Sequence, residues 1–600
     1  MVIASCSSTG SSSGTGGSTS SGGSTSNGGS TAKGGSTGQG GTTSSGGSGS
    51  GGANSGGTTT SAGGSQAGGS GAGGSGGSQA GGSNAGGSNA GGSAVGGKGG
   101  SATGGSGGSN AGGSNTDGGG ATGGNGGSAS GGSGAGGAST GIDGSAGGST
   151  STGVTVELDQ TEQTIEGFGL NTALGGGSVP WDTLYTATGS GLGFSIVRVA
   201  MDSGGKLSGT IPASSYNAKV IGSVWTATQG CKDNNNEQKG GHLLASCYDS
   251  FSTTVANFAK SNNLYAMSAA NEPDFASCGA SIGPPCNGDY VTMVYTATEM
   301  VNWVKALGPK LHALNPPVKL IAPEPSEWIH LWSNTSATGS TVSSHPNSSD
   351  PLGCGCFGNT PTTTGCASKC ATGDGYDYGH WLAKDTTAWP LIDIIGTHEY
   401  DSQKAEPWPS DVDGGKRSKP IYQTEVSGVM YWPEQGPSSD INNGIAVAGW
   451  VHSALVVGQA SAWLYWWYAP NSGTSGNDNE GLVLQGSSTL TKRAYTIGNY
   501  SKFVRPGYVM VDVTGNSDTN VLLSAFKGTD GTVVVVAINK GTAAATVPIT
   551  ISGGTAPASC TPNVTSSTDN LKAGTTPVTV TGGTFSASLA ATTVTTFVCK

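Results

Sequence analysis

Eight short, almost unbroken apolar runs recur between residues 165 and 469 and limit what this chain can become. They are IEGFGLN (165–171), FSIVRVAM (194–201), VIGSVWT (220–226), LYAMSAANEP (264–273), KLIAPEP (319–325), DIIGTHEY (393–400), PIYQTEVS (420–427) and SAWLYWWYA (461–469). Runs of this length with little polar alternation read as strands buried on both faces, as strands are in a parallel sheet. Between them lie stretches with helical spacing. Examples are DSFSTTVANFAKSNN (249–263), with Phe251, Val255 and Phe258 on one face, and VTMVYTATEMVNWVKALGPKL (291–311). Eight strands alternating with helices predict an α/β fold, the (β/α)8 TIM barrel.

In that fold the chemistry sits where strands end. Those ends carry Arg198, Trp225, Asn271 with Glu272, Glu324, His398 to Tyr400, Glu425 and the Trp466-Trp467 pair. Polar groups at the ends of apolar strands are costly to bury without a purpose. Glu272 on the fourth run and Glu425 on the seventh suit the cleavage of a glycosidic bond. One acid donates a proton to the leaving oxygen, while the other, ionised, attacks the sugar or activates water. Taken singly, each residue has a plainer reading: an Asn-Glu-Pro turn, a paired core arginine, a satisfied histidine, aromatic barrel packing. Their joint placement favours a site. Only the spatial separation of the two acids distinguishes retention from inversion, and sequence does not supply it.

After Arg505-Pro506-Gly507 the texture becomes alternating, in NVLLSAF, TVVVVAIN, ATVPITIS, PVTVTG and TTVTTFVC. This predicts an attached C-terminal β-sandwich. VTVELD (154–159) is strand-like and is expected to join it. The first 150 residues hold 61 of the 112 glycines and only four charges, Lys33, Lys98, Asp117 and Asp143. They cannot bury a core and are expected to form a disordered Gly/Ser-rich linker. The expected division is therefore 1–6 as a signal remnant, 7–152 as linker, 153–502 as barrel and 503–600 as sandwich.

Those four charges cancel, so the net charge of −11 belongs to the folded part. An acidic surface without a basic run speaks against nucleic acid or an anionic membrane as partner, but raises no objection to a neutral polysaccharide. Beyond Cys6, ten cysteines form an even set, which favours an oxidising compartment. Local pairings 231/247, 278/286 and 560/599 are the expected ones. The cluster CGCFGNTPTTTGCASKC (354–370) lacks the paired knuckles of a zinc ribbon. Cys6, in IASC, resembles a lipoprotein cleavage site, here without room for the apolar stretch that precedes one. We therefore expect the remnant of a lipoprotein-type signal, a lipid anchor at Cys6, and a secreted or surface-held protein on a bacterial envelope. No run is apolar for long enough to cross a bilayer.

The stretch from Gly167 to Lys600 resembles glycoside hydrolase family 30, nearest its bacterial glucuronoxylanase branch. The resemblance rests on IEGFG, LGFSIVRV, SVWT, LYAMSAANEPD, KLIAPE, DIIGTHEY, TEVSG, LYWWY and KRAYTIGNYSKFVRPGY, in order across both domains. It implies a retaining enzyme with Glu272 as general acid/base and Glu425 as nucleophile. It further implies that Asn271 bonds the sugar 2-hydroxyl, that Tyr400 orients the nucleophile, and that Arg198 holds the nucleophile's charge. Trp225, Trp466 and Trp467 would offer apolar faces to sugar rings. The implied substrate-binding set is Asn271, Arg198, Trp225, His398, Tyr400, Trp466 and Trp467.

Two departures stand out. The loop YAPNSGTSGNDNEG (468–481) lacks the arginine with which that branch grips glucuronate, and cysteine-bearing insertions lie around 276–288 and 333–385. The expected activity is endo-β-1,4-xylanase, on a monomer needing no cofactor; the seven histidines show no HExxH-type metal spacing. The alternatives are a β-1,6-glucanase or other family 30 specificity, and a non-catalytic carbohydrate-binding surface protein. The two acids speak against the last.

Overall fold

Strand β1 (Val154–Thr164) precedes the eight predicted runs, and each of those runs contains a strand. The barrel strands are β2 (Gly167–Asn171), β3 (Ile196–Met201), β5 (Lys219–Val224), β6 (Ala266–Ser268), β7 (Lys319–Pro323), β8 (Ile394–His398), β9 (Ile421–Glu425) and β10 (Ala460–Tyr465), with the two-residue β4 (Leu207–Ser208) hairpinned onto β3. This computed structural model describes residues 153–173, 178–238, 240–275, 291–333, 377–400, 405–427, 440–468, 481–483 and 488–600. The signal remnant with Cys6, the linker, the 278/286 pairing, the 354–370 cysteine cluster and most of the 468–481 loop lie outside them.

Neighbouring barrel strands pair in parallel in chain order, and β2 pairs with both β10 and β3, which closes the ring. Ile196, Ile221, Ala266, Ile321, Ile394, Tyr422, Ala462 and Leu464 form one buried cluster drawn from seven of the strands. Buried from both sides, the strands are apolar throughout. At the opposite end from the predicted site, Glu166 accepts from Lys219 and from the Tyr422 hydroxyl at 3.3 Å, while Lys319 donates to Tyr265 at 2.7 Å. This paired polar layer caps the barrel floor.

The helices are α1 (Trp181–Tyr185), α2 (Tyr248–Ser261), α3 (Ala297–His312), α4 (Tyr378–Lys384), α5 (Ile441–Val456) and α6 (Lys492–Ser501). Two expectations change. The β3–β5 connection carries a hairpin and a short 3-10 turn, and the described part of the β8–β9 connection only a 3-10 turn (Asp413–Gly415), in place of an α-helix; in the first, Gly205 and Gly209 hold φ of +78° and +118°, which a helix does not tolerate. The helix expected from residue 291 begins at Ala297. Thr296 Oγ1 accepts from the Glu299 amide at 3.2 Å, and the Glu299 carboxylate accepts from the Thr296 amide at 2.9 Å. That capping box fixes the start. No helix among the described residues is long and apolar enough to cross a membrane.

Strand β1 pairs antiparallel with β11 (Val509–Thr514) and parallel with β14 (Ala545–Ser552), so it belongs to the second sheet. That sheet also holds β12 (Val521–Lys527), β13 (Val533–Asn539), β15 (Ser559–Thr565), β16 (Lys572–Ala573), β17 (Val578–Thr579), β18 (Thr584–Leu589) and β19 (Thr593–Cys599). All seven residues of β13, VVVVAIN, are buried. Val533, Val535 and Ala537 face the sandwich core, while Val534, Val536 and Ile538 join the barrel's core. A central strand with two dry faces has no reason to alternate.

Two expected cystines are present, Cys231–Cys247 and Cys560–Cys599. The second joins directly opposed residues of β15 and β19. The double variant Cys560→Ser/Cys599→Ser is expected to lose about 2–4 kcal/mol of stability, read as a lower midpoint in chemical denaturation.

Candidate active site

The C-terminal ends of β2, β3, β5, β6, β7 and β9 meet around one guanidinium. Arg198, on β3, is fully buried. Its Nη1 donates to Glu425 Oε2 at 2.6 Å and to Asn171 Oδ1 at 2.9 Å. Its Nη2 donates to Asn271 Oδ1 at 2.6 Å and to Ser223 Oγ at 3.0 Å. Nε lies 3.1 Å from Glu324 Oε1. The planar fork thus holds side chains from β2, β5 and β9 and from the turns after β6 and β7, a task for arginine and not lysine.

Glu272 follows β6 on a short tether. The Ala269 amide donates to Ile321 O at 2.8 Å, the Asn271 amide to Val224 O at 2.7 Å, and the Glu272 amide to Glu324 O at 3.1 Å. Glu272 has φ +49° and Glu324 has φ +68°. Left-handed backbone at a non-glycine residue is costly and persists only where the surroundings impose it; here hydrogen bonds to both neighbouring strand ends do so. The strain turns the carboxylate towards the middle of the ring.

His398 links the acids. Its Nδ1 lies 3.0 Å from Glu272 Oε1, and its Nε2 lies 3.9 Å from both Glu324 Oε1 and Glu425 Oε2. Tyr400 donates its hydroxyl to Glu425 Oε1 at 3.1 Å. One atom each of Glu272, His398 and Glu425 lie within 4.8 Å of one another. One oxygen of each acid thus approaches the other within 4.8 Å, which suits the about 5–5.5 Å separation of a retaining pair better than the about 6.5–9.5 Å of an inverting one.

Crowding sets the charges. Burial pushes the Glu425 carboxyl up to about 7, aided by the Glu272 and Glu324 carboxylates and opposed by His398 and Arg198. Burial works the same way on Glu324, but there Arg198 and His398 prevail and hold it at about 2. Burial would lower His398, yet the Glu425 charge and the hydrogen bonds of Glu272 and Glu324 raise it to about 9. Donors already fill both Glu425 oxygens, Arg198 on one and Tyr400 on the other, and a proton there would displace one of them, so the charged form of Glu425 is the one these contacts hold. A cationic His398 and the Arg198 contact also make this triple a proton-sharing cluster and a poor cation site.

Trp225 stacks on Trp466 with ring centres 5.9 Å apart, and Trp466 on Trp467 at 5.7 Å, both at 25°. These indoles form a wall, each at most 6% exposed. Arg198 and His398 are wholly buried among the carboxylates: Arg198 sits against Glu425, as expected of a residue holding the nucleophile's charge, and His398, grouped by sequence in the substrate-binding set, lies between the acids. Sequence reasoning did not single out Asn171 or Ser223, and left Glu324 as a strand-end polar residue without a role. Their one signal is the same for all three: a polar side chain on or just beyond an apolar strand.

The profile of the glycosyl hydrolase family 30 beta sandwich domain matches residues 507–597. The chain is 28% identical over 399 residues to glucuronoxylanase XynC of Bacillus subtilis, covering 62% of this chain and 75% of that protein. It is similar in structure to the family 30 subfamily 8 xylanase Xyn30A of Clostridium acetobutylicum (TM-score 0.55, 25% identity, 75% of this chain and 99% of the other). A similar likeness holds to a family 30 endoxylanase of Clostridium papyrosolvens (TM-score 0.53, 27% identity, 75% of this chain and 100% of the other).

Proposed function

We infer that this chain is a retaining glycoside hydrolase of the family 30 type, cutting β-1,4-xylan within the polymer by double displacement. The observation that carries the reading is the close approach of Glu272 and Glu425, within 4.8 Å. That approach suits direct attack by a carboxylate better than a water held between two. The relatives supply the substrate class.

In the first step Glu425 attacks the anomeric carbon as Glu272 gives its proton to the departing oxygen, so the glycosidic bond breaks while an ester bond forms. Arg198 and Tyr400 hold one Glu425 oxygen each, which keeps the attacking group ionised and aimed. The Asn271 amide has its Oδ1 taken by Arg198, so Nδ2 is the group left for the sugar 2-hydroxyl. With its proton given up, Glu272 is left as a carboxylate beside the neutral ester of Glu425. In the second step Glu272 takes a proton from water, water attacks the anomeric carbon, and Glu425 leaves.

We also propose a secreted or envelope-held monomer, tethered through the Gly/Ser segment with a lipid at Cys6. The cystines support an oxidising compartment.

The test is the product profile on plain xylan, glucuronoxylan and β-1,6-glucan. We expect the β-anomer to appear first by proton NMR. Plain xylan should be cut within about tenfold of the rate for glucuronoxylan, since a missing exposed ion pair is worth about 1 kcal/mol. An untouched plain xylan beside a cleaved β-1,6-glucan would overturn the substrate assignment, and an α-anomer would overturn the mechanism.

A further inference from the structure

We propose that Asp274, with Ser326 and His330, is a latch that positions Glu272 on the same loop that aims Tyr400 at Glu425. The inference rests on the roles given above to the two acids.

Asp274 lies two residues beyond Glu272, and its side chain is wholly buried. It does not touch the Arg198 network; its partners are all on the loop after β7. Its Oδ1 accepts the Ser326 amide at 2.8 Å, and its Oδ2 accepts the Ser326 hydroxyl at 2.8 Å and His330 Nδ1 at 2.6 Å. On its other side the His330 ring lies 3.5 Å from Glu327. Burial pushes the Asp274 carboxyl up, but the His330 contact and the two Ser326 bonds outweigh it and hold it below the usual range. A charged carboxylate with three short bonds in a dry setting gives a stiff joint.

That joint has two consequences. On one side it fixes the turn through Glu272, whose carbonyl accepts the Phe275 amide at 3.0 Å and whose left-handed backbone needs an external hold. On the other, the Ser326 carbonyl accepts the Tyr400 amide at 3.1 Å, and the preceding carbonyl, of Pro325, accepts the His398 amide at 2.8 Å. Tyr400 then reaches Glu425 and His398 reaches Glu272. One serine therefore references both acids to a common frame. Arg198 holds Glu425, on β9, independently of the latch, whereas Glu272 stands two residues from Asp274 on the turn that the latch fixes. Loss of the latch should fall mainly on the proton donor.

The leaving group separates this from general damage. A dinitrophenolate departs without a proton, and a phenolate needs one. For Asp274→Asn, nearly the same size, we expect kcat/KM on a phenyl β-xylotrioside to fall about a hundredfold, and on the 2,4-dinitrophenyl analogue by less than about tenfold. Ser326→Ala removes one donor and spares the backbone; it should show the same bias at smaller amplitude if Asp274→Asn proves too unstable to assay. Glu272→Gln is run alongside. A biased loss in Glu272→Gln with an even loss, or none, in both latch variants overturns the latch alone. An even loss in Glu272→Gln overturns the role of Glu272 as the acid.

Discussion

Glu425→Ala is expected to lower xylan turnover by at least about four orders of magnitude, the scale seen when a covalent nucleophile is removed. Folding should survive. The wild-type carboxyl is held against burial, which pushes it up to about 7, so its removal relieves desolvation and leaves Arg198 still facing Glu324. The thermal midpoint should move by no more than a few degrees. Added azide provides the sharper check. It can enter the space vacated beside Arg198 and attack the anomeric carbon from the nucleophile's face as Glu272 protonates the leaving group, giving an α-xylosyl azide. Glu272→Ala should give the opposite anomer, because azide then replaces water against the intact ester of Glu425. Wild-type turnover in Glu425→Ala, or a β-azide from it, would sink the assignment.

The barrel was legible because its strands are dry on both sides: near-continuous runs such as KLIAP and DIIGTH admit few other readings. Boundaries were less so. The helix start at Ala297 depends on the reciprocal bonds of Thr296 and Glu299, a T-x-x-E signal hidden inside a longer periodic stretch. At the site, Glu272 and Glu425 could be picked out because each is an acid where an apolar strand ends. What no sequence pattern carried is their mutual geometry, since 153 residues separate them and the link is made sideways by Arg198, His398 and Tyr400. The same limit left Arg198 and His398 in one group with the tryptophans, although the sequence already assigned Arg198 to the nucleophile's charge. A strand end points a side chain towards the mouth, but whether it stops beneath the acids or reaches substrate depends on what else competes for it. Here Glu324, an acid three residues before another acid, Glu327, draws Arg198 down.

Arg198→Met is expected to cost about 3–5 kcal/mol at neutral pH, because it strands two buried carboxylates while filling most of the arginine's volume. The deficit should depend on pH with a defined sign. Glu324 is held at about 2 in the folded protein, well below an ordinary carboxyl, so its contribution is present above the ordinary value and lost as pH falls through about 2. In the variant that contribution is gone at every pH. The gap in urea midpoints between wild type and variant should therefore be widest near pH 7 and close between about pH 4 and about pH 2. A gap that stays constant over that window would mean that Arg198 acts by packing and not by charge. Activity should move in the other direction along the scale. Glu425 already sits at about 7 with Arg198 in place; without that cation its proton is held to higher pH, so the acidic limb of the kcat/KM profile shifts upward as kcat falls about a hundredfold or more. Arg198→Lys should recover part of the stability and little of the rate. An ammonium restores one charge, but it cannot reach Glu425, Asn271, Ser223 and Glu324 at once, and it is that simultaneous reach which places the attacking oxygen.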